Sequence, residues 1–206
     1  MPSSTTTTTP PADTGFDPLV FWFHHQQKIL IFLGIVVVAL AAYGISEYVG
    51  MRRNDAAQVQ LSTAHTVDEY RKVIAEYGGT PAAGDAYLLL AAKLRGEGKF
   101  DESNTALHTF IDKYPENQMI SGAWTSLAAN LEAQKKVDEA LAMYQKVSTS
   151  FANSFSAPIA LLAQARILAE KGRTEDARKI YEQVMAQYPE NLASREANQE
   201  VRKLKK

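Results

Sequence analysis

Apolar positions in the C-terminal three-quarters of the chain follow two superposed periods. Within one stretch, Ser103, Leu107, Phe110 and Tyr114 fall at i, i+4, i+7 and i+11, the stripe of an amphipathic helix. The same columns return 37 residues later as Ala140, Tyr144, Val147 and Phe151, and again as Ala177, Tyr181, Val184 and Tyr188. A fixed step of this size marks a repeat array. An acidic pair precedes each stripe (Asp101-Glu102, Asp138-Glu139, Glu175-Asp176), where negative charge complements the positive end of a helix dipole. Behind it, Tyr-Pro-Glu-Asn closes the helix at 114–117 and 188–191, with Phe151-Ala152-Asn153-Ser154 as a degraded copy midway. Proline stops each helix because it cannot extend the hydrogen-bond ladder.

A second helix precedes each of these, predicted over Pro81–Arg95, Ser121–Gln134 and Pro158–Lys171. Thr80-Pro81 pairs an N-cap residue with proline at the first helical position. Glycines at 96, 98 and 172 break the chain between paired helices, and Ala91, Ala128 and Ala165 recur where the two helices must approach closely. Each repeat is therefore a helical hairpin. One step earlier, Thr66-Val67-Asp68-Glu69 reads as a capping box, and Tyr70, Val73, Ile74 and Tyr77 continue the stripe. The array is thus a degenerate hairpin at 55–78, repeats at 82–117, 119–154 and 156–191, and a polar, basic cap at 192–206.

The N-terminal quarter has a different pattern. Residues 1–28 form a tail, Thr- and Pro-rich at first and juxtamembrane at its end, whose opening stretch is read as disordered. Ile29 to Val49 is apolar apart from Ser46 and Glu47, and these 21 residues reach roughly 30 Å as a helix, the thickness of a bilayer core. Trp22 and Phe23 on one side, with Tyr43 and Tyr48 on the other, suit the two interfaces. A cleaved signal peptide is the competing reading, since Ala39-Leu40-Ala41 offers a small-x-small site. Against it, the apolar run continues past that site, and the segment ahead carries only Lys28 as a cation; a mature N-terminus at Ala42 would nonetheless decide for cleavage. Lys28 against Arg52 and Arg53 leans by one charge toward a cytoplasmic C-terminal domain, and the residues alone leave the side undecided.

Composition removes several function classes. With 22 basic and 23 acidic residues the chain lacks the basic excess of a nucleic-acid binder, and the absence of cysteine excludes disulfides, thiolate metal sites and thiol nucleophiles. Neither His24, His25, His65 nor His108 has a histidine partner at the helical spacing of a metal pair. Gly96-Glu97-Gly98 lacks the continuation of a phosphate loop and reads as a turn. The adjacent acidic pairs diverge around a helix and are no acid–base dyad. No enzyme, cofactor or metal is indicated.

Trp124, Leu127 and Ala128, followed by Ala140, Tyr144 and Val147, fall where tetratricopeptide repeats carry their signature residues, as do Ala177, Tyr181 and Pro189. Residues 82 to 191 therefore resemble three tetratricopeptide repeats. The period of 37 is three longer than usual, and Lys135, Ala152 and Ser103 depart from the turn Gly, terminal Pro and packing Ala of the pattern. The implied fold is all-α, an N-terminal transmembrane helix followed by an α-solenoid of tetratricopeptide-like hairpins. Tail, single anchor and small repeat domain together resemble the single-pass ancillary subunit family of the SecYEG translocon. That resemblance implies a bacterial inner-membrane protein with its N-terminus in the cytoplasm and its repeats in the periplasm. Translocon subunits or periplasmic chaperones are then the implied partners.

In such a fold the first helix of each hairpin lines a groove. By repeat position the lining is Asp85, Leu88, Ala92 and Arg95, then Thr125, Ala129 and Glu132, then Leu162, Arg166 and Ala169, a mixture suited to an extended or helical peptide. The competing readings are a solvated face, a self-assembling structural protein that forms homo-oligomers, and a cytosol-facing scaffold.

Overall fold

The structure, a computed structural model, describes residues 18–204, and every regular element among them is an α-helix. The helices are α1 Pro18–Thr63, α2 Val67–Tyr77, α3 Pro81–Gly96, α4 Phe100–Lys113, α5 Ile120–Ala133, α6 Val137–Ser150, α7 Ala157–Glu170, α8 Thr174–Gln187 and α9 Leu192–Leu204. They fall into two compact units that meet in sequence between Met51 and Arg52.

The first unit is the N-terminal part of α1. Its 18-residue apolar window has mean hydropathy 2.6 and none of it is buried, so α1 is long and apolar enough to cross a membrane. Residues 1–17 of the expected tail lie outside the described residues. The remainder, 18–28, is helical rather than tail: Pro18 opens α1 at a position its fixed φ suits, and Leu19 to Phe23 continue the apolar run.

The second unit stacks the hairpins. Ala57 and Leu61 at the end of α1 share a buried cluster with Tyr70 and Val73 of α2, which makes the first hairpin. The second is α3 with α4, the third α5 with α6 and the fourth α7 with α8, closed by α9. Observed bounds lie within a few residues of those predicted. Thr66 accepts from Glu69 N, and Glu69 accepts from Thr66 N at 2.9 Å, which is the expected capping box. The stripe columns are core. Phe110, Val147, Val184, Ala140 and Ala177 are fully buried, and Tyr144 and Tyr181 nearly so. Two of the motif tyrosines also tie hairpin to hairpin. The Tyr114 hydroxyl accepts from Gly79 N at 3.2 Å, and the Tyr188 hydroxyl donates to Ala152 O at 2.7 Å. Phe151, the degraded copy, has no hydroxyl to offer.

The three departures from the repeat pattern have physical explanations in two cases. Lys135 has φ +65°, matching Gly98 at +74° and Gly172 at +75° one step to either side. The turn thus demands the left-handed region, and the chain meets it with a lysine at a steric cost. Lys135→Gly is expected to raise the stability of the repeat unit by about 0.5–1 kcal/mol, strain relief outweighing the extra freedom of the unfolded chain. A denaturant midpoint that stays put or falls would contradict this. Ser103 is buried, and its Oγ donates to Ala91 O at 2.8 Å, so the hydroxyl cross-links α3 and α4.

Candidate functional site

Two neighbouring cavities lie along the first helices of the hairpins and share Ile159, so they form one groove. The first, about 280 Å³, lies between α3, α5 and the start of α7, with Ser103 and Leu107 of α4 beneath it. Leu88, Ala92, Arg95 and Thr125 of the expected lining are there. The second, about 540 Å³, lies between α7 and α9 and takes Leu162 and Arg166. Asp85, Ala129, Glu132 and Ala169 line neither cavity. Glu132 still belongs to the site, because Arg166 donates to its Oε1 at 2.6 Å and Tyr144 Oη donates to its Oε2 at 3.1 Å. This cluster ties α5, α6 and α7. Burial above all, and then the Glu132 charge, push the Tyr144 hydroxyl far above its ordinary value, so it stays protonated and donates. Burial, helped by Glu200, raises Tyr181 in the same direction.

Sequence reasoning missed part of the lining. Asp85 belongs to the column that continues as Gly122, Ile159 and Glu196, and those later members do line the cavities. Phe155 and Leu192 share another column, at the entry to α7 and at the start of α9. The signal was a large apolar residue at a hairpin junction that the helix stripe does not require. The cap, expected to solvate the end with Ala197, Val201 and Leu204 as its apolar contacts, buries Ala197 and Val201 and packs Leu204 on the core, and it also supplies Leu192, Ala193, Glu196 and Glu200 to the second cavity.

Gly122 makes room for an aromatic wall, since a Cβ added there would stand 3.2 Å from Phe155 Cζ and 3.7 Å from Met119 Cε. At the first cavity, Asn130 is fully buried and donates from Nδ2 to Ser103 Oγ at 2.9 Å and to Asn104 Oδ1 at 2.7 Å. Its Oδ1 accepts no hydrogen bond from the described residues.

The exposed apolar residues are not spread evenly. Among the described residues of the repeat unit, the large ones are Val59, Leu89, Met119, Phe155, Ile159 and Leu192. Met119, Phe155, Ile159 and Leu192 all line the groove. Clustering of this kind marks an interaction surface, whereas scattered single residues do not.

A family model described as tetratricopeptide repeat-like domain matches residues 20–201. The chain belongs to that family. No curated protein sequence matches it. Among solved structures it is similar to the nearly identical TPR-like repeats of a putative kinesin light chain from Podospora anserina, with 18% identity, 76% of this chain and 82% of that chain covered, and TM-score 0.52. It is also similar to a MamA double mutant from RS-1, with 12% identity, 76% and 94% covered, and TM-score 0.50. At these identities the likeness concerns the fold. Tetratricopeptide-like hairpins of this kind suggest a protein-interaction scaffold.

Proposed function

We propose that this tetratricopeptide repeat-like protein is a membrane-anchored interaction scaffold of the bacterial envelope, tethered by residues 29–49 and holding segments of partner proteins in the groove along α3, α5, α7 and α9. The observation that carries the reading is the gathering of exposed apolar side chains on that groove, on a frame otherwise satisfied by its own core. The anchor half rests on the apolar window of α1, none of which is buried among the described residues. Partners among translocon subunits or periplasmic folding factors, with the N-terminus cytoplasmic, follow the resemblance in tail, anchor and repeat domain. The role assigned is holding, with no catalytic step, cofactor or metal.

Arg166→Glu tests the groove. It removes the 2.6 Å pair with Glu132 and sets two carboxylates against each other on the groove wall. Partner recovery from the full chain is expected to fall about tenfold, a loss of about 1.4 kcal/mol, with little change in melting temperature, because a half-exposed pair adds little stability. Unchanged partner recovery would count against the groove. Orientation is read by a C-terminal reporter active only outside the cytoplasm. Activity is expected, and silence would replace the reading with a cytosol-facing scaffold.

A further inference from the structure

The two cavities differ in what they still have to offer. In the second, Arg166 is already paired with Glu132 and Glu200 with Lys203, and Glu196 lines the facing side from α9 with no ion pair among the described residues. A carboxylate entering there meets like charge. In the first, Arg95 is the only charged side chain in the lining, is exposed, and makes no ion pair among the described residues. The rest of that lining is apolar or small, with Phe155 and Met119 exposed at its edge and the buried Asn130 oxygen, which accepts no hydrogen bond from the described residues, beneath. Phe155 is half exposed, with the edge of its ring lying against the bare stretch of helix at Gly122.

Resting on the groove reading above, we propose that the first cavity is the anchor subsite of the groove and takes one bulky apolar side chain of a partner segment, with a carboxylate one or two residues away paired to Arg95. A volume of about 280 Å³ accommodates one such side chain and not a folded element. Burial of that side chain against Phe155 and Met119 supplies affinity, because rigid aromatic and adaptable thioether surfaces pack well on varied partners. Arg95 supplies direction. It favours acidic-apolar segments at this end, while Glu196 disfavours them at the other, so the groove has a direction along its length.

The test uses the full chain in nanodiscs and fluorescein-labelled short peptides of Ser, Ala and Gly around a central Phe-Ala-Asp. Phe→Ser, and separately Asp→Lys, replace the two recognised groups. Binding of the parent peptide is expected, with a loss of about tenfold or more for either replacement. Ala92→Phe, which fills the cavity from an exposed position, is expected to abolish binding with the helical signal unchanged. Arg95→Glu is expected to lose the Asp peptide and to gain the Lys peptide, an exchange that a misfolded variant could not produce. If peptides bind equally well with or without Phe, or with Arg95 reversed, the anchor assignment is overturned while the groove stands. No binding by any peptide up to about 1 mM overturns it as well. The groove itself is judged separately, by crosslinking from its wall.

Discussion

Replacing Phe110 by alanine is expected to destabilise the repeat unit by about 3–5 kcal/mol. Phe110 is fully buried, stacks on Tyr114 at 5.7 Å between ring centroids, and belongs to the cluster that runs from Ala57 to Leu127. Deleting the ring leaves a cavity that rigid neighbouring helices cannot close, and domain stability totals only about 5–15 kcal/mol. Hairpins of an array hold one another by nearest-neighbour contact, so the loss spreads to α3 and α5 and not to α4 alone. Urea unfolding of the full chain in detergent, read from Trp124 with Trp22 of the N-terminal unit as a bystander, measures it. A shift below about 1 kcal/mol would mean that Phe110 is not the keystone its burial implies.

Paired arginines in the anchor should have a comparable effect of another kind. Val37 and Leu40 lie mid-run in α1, each more than three-fifths exposed to what the anchor reading takes to be lipid. Each arginine at the centre of a spanning helix costs about 2.5–3.5 kcal/mol, so the Val37→Arg, Leu40→Arg double variant loses about 5–7 kcal/mol of insertion free energy. The expected result is a protein that alkaline carbonate strips from membranes, beside a wild-type chain that resists it. A wild-type chain that is itself stripped would remove the anchor and leave α1 in need of a protein partner.

How much of this was legible in the sequence depends on which physics wrote it. The stripe columns were readable because burial forces an apolar residue to return at each 37-residue step, as at Phe110, Val147 and Val184. Helix ends were readable through Thr66, Thr80 and the prolines. The groove was half readable. Leu88, Arg95, Thr125, Leu162 and Arg166 followed from repeat position, yet Met119 and Phe155 sit in junctions where no helical period applies. Glu132 shows a further limit. Periodicity puts it in the groove column, but its partners Tyr144 and Arg166 come from two other helices, and only packing brings them together. Lys135 is the opposite case, where pattern matching flagged a missing glycine and the backbone took the glycine conformation regardless.

The central claim is that this protein holds partners along the groove wall, and position-specific photo-crosslinking in cells addresses it most directly. A photoreactive residue at Thr125, on the groove, is compared in the full-length chain with one at Gln183, exposed on α8 and lining neither cavity. The account predicts discrete protein adducts from Thr125 that Arg166→Glu weakens, and none of the same mass from Gln183. Adducts of equal yield from both positions, or from Gln183 alone, would contradict it.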